Sequence, residues 1–372
     1  TRYWRDWSSD VCSSDLPAPI TERSFESRNP CYSRRSAMNP ALETLLLPFS
    51  SEGGIPVPGR CLFLGAEAHP LLKGWQNLTA VQPHRPLADA WRRAGLPAPV
   101  ERAEGRWPLV LLLPGKSRDE ILASFALARD HLEPGGTLVA ALPNTLGASR
   151  FEKEFARATG SVSSIQKNKS RVFHASDDGT WNEALFAEWR TLGEPRPVPG
   201  TSHTTRAGIF SHGEIDAGSQ FLVAHLPADL RGKVADLGAG WGYLSAEALR
   251  LTPGIQRIHL FESDSRALAC ARTNLAEWSE RPVFSWHDVT AGIPGHYDVI
   301  LTNPPFHSGR DTDVDLGRAF VTSAARALGR AGRLYLVANR QLPYEAVLKA
   351  EGLGYERLAE DKTYKVILAR KP

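Results

Sequence analysis

Residues 297–309 read YDVILTNPPFHSG, an apolar run that stops abruptly at Asn303, Pro304, Pro305 and Phe306. Neither proline offers an N–H and both have a fixed φ, so neither can extend a strand's hydrogen-bond ladder. The strand must close in a rigid corner that carries one amide and one aromatic ring. A second chemical feature lies upstream, where DLGAGWG places Gly238, Gly240 and Gly242 directly after the apolar run KVA, with Asp236 two residues ahead of the first glycine. Glycines at a strand-to-helix turn let backbone approach a ligand closely, because no Cβ intervenes and positive φ is available. Their GxGxG spacing differs from the GxGxxG of a dinucleotide fingerprint and disfavours an NAD or FAD site.

Acids follow at the next two strand ends. FESD puts Glu262 and Ser263 about two dozen residues beyond Gly238, where a carboxylate can accept ribose hydroxyls; the alternative is an acid that only caps the following helix. SWHDV puts Asp288 at a third strand end, to accept from an adenine amine or to stand as a solvated loop acid. Glycines with an acid, an acid, an acid and then Asn-Pro-Pro-Phe on four successive strand ends resemble the class I S-adenosylmethionine-dependent methyltransferases. That resemblance implies a cofactor laid over Asp236, Gly238, Gly240, Gly242, Glu262, Ser263, Asp288 and Asn303. It also implies methyl transfer to a nitrogen conjugated with a ring or carbonyl. Such a nitrogen is a poor nucleophile, and fixed acceptors for its hydrogens, the Asn303 side-chain oxygen and the Pro304 carbonyl, return electron density to it. Phe306 would stack on the ring.

The wider sequence narrows the resemblance. NPPFHSG, GRLYLVANRQLPYE, KTYKVILA and AGIFSHGEIDAGSQFL together are similar to the ribosomal RNA small-subunit methyltransferase C family over essentially all of residues 38–372. A sister family acting on 23S rRNA shares part of these segments, and enzymes acting on glutamine side chains or adenine in DNA share the tetrapeptide. A non-catalytic nucleotide- or RNA-binding module is the reading from another class. The family resemblance implies methylation of a guanine N2 amine in 16S rRNA or the small subunit, with Phe210 to Gln220 as a lid beside the cofactor. It places Lys365 near the substrate base or its phosphate, the alternative being an exposed strand lysine. His307 is a candidate RNA contact or a simple turn residue, and Arg310 lies near the same corner. Trp241, after the glycines, is expected to narrow the methionine pocket. The cluster QKNKSRVFH offers Lys167, Lys169 and Arg171 as a phosphate footprint.

The elements that must position these residues alternate. RCLFLGAE, LTAVQP, PLVLLLPG and GGTLVAALPN read as strands, and SRDEILASFALARDHL between the last two as a helix capped by Ser117. The second half repeats the theme with KVADLG, IQRIHLFE, VFSWHD, YDVILT and RLYLVANR, then a closing antiparallel pair in LGYERLAEDKTYKVILAR. PLVLLLPG…GGTLVAALPN matches YDVILTNPPF…GRLYLVANR, a pattern that predicts one α/β unit used twice, with only the second copy keeping its glycines and tetrapeptide. The expected fold is two tandem Rossmann-like class I methyltransferase domains of the seven-stranded type, the first degenerate and without a cofactor site (residues 38–197), the second catalytic (198–372). RTLGEPRPVPGTSHTT reads as the linker between them.

Composition sets the remaining bounds. The 372 residues are 42% hydrophobic and 23% charged with a formal net charge of +3, a soluble globular balance that permits nucleic acid without demanding it. Cys12, Cys31, Cys61 and Cys270 form no CxxC pair and the eleven histidines are dispersed, so no metal site or disulfide framework is expected. No apolar run is long enough to span a bilayer, and a cytoplasmic monomer is expected. The sole methionine is Met38; before it, RDWSSDVCSSDL resembles translated sequencing-adapter read-through. Residues 1–37 are thus expected to be disordered or spurious, against the alternative of a native tail or transit segment.

Overall fold

The computed structural model describes residues 39–50, 54–305 and 311–371. The expectations for residues 1–37 and the start at Met38, and those for Phe306, His307 and Arg310, lie outside the described residues.

Apolar runs bounded by glycine or proline become two separate sheets. The first contains β1 (Cys61–Leu64), β2 (Leu78–Val81), β3 (Trp107–Leu112), β4 (Leu132–Pro143), β5 (Ser163–Lys167) and β6 (Ser170–Ser176), in the order β2-β1-β3-β4-β6-β5. β2, β1, β3 and β4 run parallel; β6 and β5 are antiparallel. Helices α1 (Pro40–Leu45), α2 (Arg85–Arg93), α3 (Arg118–Asp130), α4 (Ala148–Thr159) and α5 (Glu183–Leu192) belong to this half. Ser117 caps α3 as its position suggests, accepting from the Glu120 N–H at 3.3 Å.

A ribbon of β7 (Arg196–Pro197) and β8 (Thr204–Thr205) and the short helix α6 (Ala217–Val223) lead into the second sheet. It is built of β9 (Gly232–Leu237), β10 (Ile255–Glu262), β11 (Pro282–Trp286), β12 (Tyr297–Thr302), β13 (Leu328–Asn339), β14 (Gly354–Glu360) and β15 (Tyr364–Arg370), in the order β11-β10-β9-β12-β13-β15-β14. Its helices are α7 (Tyr243–Leu251), α8 (Ser265–Asn274), α9 (Asp311–Ala327) and α10 (Tyr344–Ala350). This is the seven-stranded sheet that the resemblance implied.

The repeat reaches down to irregularities. β3 meets β4 at Trp107–Leu132 and then skips to Leu109–Thr137, and β12 meets β13 at Tyr297–Leu328 and then skips to Val299–Arg333. β4 and β13, 12 residues each, share one pattern of buried and exposed positions throughout. The loop inside each skip holds one left-handed residue, Gly135 in the first sheet and Ala331 (φ 59°) in the second. The register also shows what the first half lacks. Leu64 pairs with Leu112 as Leu237 pairs with Thr302, so buried Leu113 occupies the place of Asn303 and Pro114-Gly115 that of the two prolines.

Each sheet is covered on both faces, which is why its strands are nearly continuous in apolar residues. Phe125, Phe155, Phe173 and Trp189 fill one side of the first sheet, and Phe63, Trp91 and Leu111 the other. In the second sheet Ile300, Phe320 and Leu334 pack on one side, with Val234, Leu260 and Leu301 opposite. The proline-rich connection is ordered rather than loose. Val198 is buried in a cluster with Ile209, Trp241, Ala267 and Cys270, and Asn274 clamps it, accepting from the Thr204 N–H and donating to the Thr204 and Trp241 carbonyls, each at 2.8 Å. Among the described residues no helix is long and apolar enough to cross a membrane, and no group of three or more His, Cys, Asp or Glu could hold a metal ion.

Candidate active site

The turn after β9 is held from beneath. Gly238 and Ala239 N–H groups both donate to the Phe261 carbonyl, at 2.9 and 3.2 Å, which fixes the chain at the carboxyl ends of β9 and β10. Gly240 and Gly242 then take left-handed backbone at φ 55° and 92°, for different reasons. A Cβ on Gly240 would meet nothing within 4 Å, whereas one on Gly242 would lie 2.5 Å from Leu275 Cδ1 at the start of α7. Gly240 thus keeps space open and Gly242 lets the start of α7 pack closely against the end of α8. A cavity opens between residues 238–241 of this turn and Phe210, Ser211, Asp216, Ser219 and Asn303. Phe210, at its mouth, is 61% exposed.

Asn303 is oriented from outside its own strand. Thr302 Oγ donates to the Leu237 carbonyl at 3.0 Å and pins the end of β12 to β9. The Asn303 Nδ2 group donates to Asp216 Oδ2 at 2.7 Å and Ser219 Oγ at 3.0 Å. Turning the amide over would set its oxygen against a carboxylate oxygen, so the amide has one favoured orientation. Its Oδ1 is buried with no hydrogen-bond partner, in a residue that lines the cavity. A buried acceptor left unpaired costs about 1–3 kcal/mol, which a bound donor would recover.

The acids are more occupied than the sequence suggests. Asp236 is wholly buried, accepts from Ser245 Oγ at 2.7 Å, and leaves Oδ1 without a partner; burial pushes its carboxyl up to about 7. Glu262 braces the glycine turn: its Oε2 accepts from the Gly240 N–H and its Oε1 from the Asp264 N–H, both at 2.8 Å, and burial raises its pKa. Oε2 retains a lone pair for a hydroxyl donor. Ser263 Oγ donates to Glu262 at 3.2 Å, and Asp288 caps the turn at Val289–Ala291, accepting from Thr290 N–H and Oγ.

Two of the candidate cations are held within the fold. Lys365 is not the exposed strand lysine of the alternative reading. It is 3% exposed on β15, interior to the sheet, and donates to both Glu345 oxygens at 2.8 Å and the Leu342 carbonyl at 2.7 Å. Arg171 is bound to Glu152 on α4 at 2.7 Å and to Gln166, so it is not a free phosphate ligand. Lys167 and Lys169 flank the exposed β5–β6 turn. Trp241 lines the cavity but buries its side chain in the Val198 cluster.

The first half reaches this region. Pro83 and Arg85 exchange backbone hydrogen bonds with Ser265 and Ser263 at 3.0 and 2.8 Å, and Trp286 Nε1 donates to the Pro83 carbonyl at 2.8 Å. Arg266 on α8 sits between Asp264, at 2.7 Å, and Glu120 of α3, at 2.6 Å. Gly115 and Gly208 leave the room that the Glu120 carboxylate fills. Asp216, Glu120 and Arg266 were not singled out from sequence. Only Asp216 had a local signal, an acid three residues before a serine at the start of an apolar helix.

Residues 201–368 match the methyltransferase small domain family. A ribosomal RNA small subunit methyltransferase C from Psychromonas ingrahamii is 29% identical over 252 residues, 66% of this chain and 71% of that protein. One of the same name from Escherichia coli is 36% identical over 178 residues, 47% of this chain and about half (51%) of its own length. Among solved structures, the T. thermophilus 16S rRNA N2 methyltransferase (RsmC) in complex with AdoMet and guanosine superposes with a TM-score of 0.75 at 25% identity, covering 91% of this chain and 93% of that one. A fold shared across both sheets and like-named relatives lead to one conclusion: over residues 201–368 the chain carries a methyltransferase small domain, and it is similar to the ribosomal RNA small subunit methyltransferase C proteins.

Proposed function

We propose that this protein methylates the exocyclic N2 amine of a guanine in 16S rRNA, using S-adenosylmethionine. The carrying observation is the Asn303 side-chain oxygen, buried and unpaired while its partners hold the Nδ2 end against Asp216, in a residue that lines the cavity walled by the glycine turn. The residues present fit the cofactor: Gly240 keeps the turn free of a side chain, and Glu262 Oε2 keeps a lone pair at the end of β10.

When bound, the cofactor supplies an electrophilic methyl group on a sulfonium. The chain's own contribution is positioning and hydrogen-bond acceptance. The amine donates its hydrogens to Asn303 Oδ1 and the Pro304 carbonyl, which keeps the nitrogen lone pair available for attack. Pro304 and Pro305 stiffen that corner, and holding reactants in line supplies roughly 7–11 kcal/mol. No strong general base is required, because the methylated nitrogen becomes acidic and releases its proton to water. Phe306 stacks on the base, and exposed Phe210 closes the mouth of the cavity. The first half (residues 38–197) is a copy without its own cofactor site, with Leu113 where the amide would stand. It docks on the catalytic half (198–372) and presents Lys167 and Lys169 to RNA. The enzyme acts as a monomer in the cytoplasm.

Mass mapping of methylated nucleotides after incubating 16S and 23S rRNA with enzyme and labelled cofactor tests the proposal. One N2-methylguanine in 16S rRNA is expected, and Asn303→Ala should lower kcat about 10²–10³-fold, the loss typical of one fixed transition-state hydrogen bond. Label in 23S rRNA alone, in adenine, or in protein would overturn it.

A further inference from the structure

We infer that Asp216 is a positioning residue for methyl transfer: with Ser219 it decides which end of the Asn303 amide meets the substrate amine. The inference rests on the function proposed above and names a residue 87 positions away from the catalytic corner. One carboxylate oxygen, Oδ2, accepts two N–H groups, the backbone of Ser219 at 2.7 Å and Asn303 Nδ2 at 2.7 Å. The first bond caps α6, and the second holds the amide. Ser219 Oγ, in a residue 8% exposed, accepts from the same Nδ2 at 3.0 Å. Both amide hydrogens are thereby engaged, and the remaining atom, Oδ1, is the buried oxygen without a partner.

An asparagine side chain is nearly symmetric in shape, so nothing in the Asn-Pro-Pro corner itself tells its oxygen from its nitrogen. An inverted amide would offer donors to an amine that already has only donors to give, and the site would repel its substrate. The Asp216 carboxylate breaks that symmetry, because it accepts and never donates when ionised. A charge-assisted bond to Nδ2 also polarises the amide and makes Oδ1 a stronger acceptor. Asp216 lies on the segment that borders the cavity, so the segment and the amide are set together. No proton transfer is assigned to Asp216.

Helix capping and amide orientation are separable by substitution. Asp216→Ser keeps a good cap for α6 but is too short to reach Asn303; Asp216→Asn keeps an acceptor oxygen of the right reach without the charge. Three quantities are measured: single-turnover rate on 16S rRNA at saturating cofactor, cofactor Kd by calorimetry, and melting temperature. Asp216→Ser is expected to slow transfer at least 10-fold with Kd within threefold of wild type and melting unchanged, and Asp216→Asn to recover most of that rate. Asp216→Ser with Asn303→Ala should be no slower than Asn303→Ala alone, since the two act through one oxygen. A rate within threefold of wild type for Asp216→Ser, or fully multiplicative losses in the double variant, overturns the inference. So does an Asp216→Asn enzyme whose main defect is cofactor affinity, which would assign the carboxylate to the cofactor's positive charge. Wild-type enzyme that methylates no guanine N2 overturns the function instead, and leaves the orienting contact to be judged by whether the amide in a crystal of Asp216→Ser is still turned as here.

Discussion

Asp236 offers a direct measure of what the glycine turn costs the fold. Its carboxyl is enclosed at the end of β9, with one oxygen bonded to Ser245 and the other to nothing. Burial, helped by the nearby Glu262 charge, lifts its pKa from 3.8 to about 7. The sign follows from proton release. In the unfolded chain the group ionises near 3.8, but in the folded chain not until about 7, so stability is complete below pH 4 and falls as pH rises through 7. Across the whole window the loss is roughly 4 kcal/mol at 1.36 kcal/mol per pH unit, and most of it, about 3 kcal/mol, falls between pH 5 and pH 8. Asp236→Asn cannot ionise and keeps an acceptor for Ser245. Urea unfolding of wild type and variant at pH 5 and pH 8 reads the difference, since every other titrating group is common to both chains. The variant's stability relative to wild type should rise by about 3 kcal/mol on going to pH 8. A relative stability that is the same at both pH values would refute the claim that this acid is buried at a cost.

The two glycines of the turn should fail differently. Gly240→Ala has only left-handed backbone strain to bear, about 1–2 kcal/mol, and should chiefly weaken cofactor binding; Gly242→Ala adds the clash with Leu275 and should melt several degrees lower by differential scanning fluorimetry, with the reverse order counting against the assignment. Lys365→Met leaves Glu345 with Arg357 as its remaining partner and should cost about 2 kcal/mol in urea unfolding, while the rate per folded molecule on 16S rRNA stays near that of wild type; a selective loss of RNA affinity would return Lys365 to the substrate.

What could be read from sequence was local. Strand ends announced themselves through Gly238, Glu262 and Asn303, because a glycine, an acid or a proline after an apolar run changes the backbone's options at once. What could not be read depended on partners distant in the chain. Glu120 and Arg266 are 146 residues apart, and neither has a neighbour in sequence that hints at the other. Lys365 stands in the run YKVILA, and whether that strand lies at an edge or inside is a property of the sheet; β15 runs between β13 and β14, which hides the lysine. Arg171 looked like one of three free cations, and only the packing of α4 beside β6 shows that Glu152 had claimed it.

The skipped pairing shared by β4 and β13 carries a historical consequence. In the first half the left-handed position of that loop is Gly135, the residue suited to it, while in the half that holds the glycine turn and the amide the same position is Ala331. If both sheets descend from one ancestor, change did not fall only on the copy without the tetrapeptide. The second copy has drifted in its scaffold, and the first has drifted where the second carries its corner.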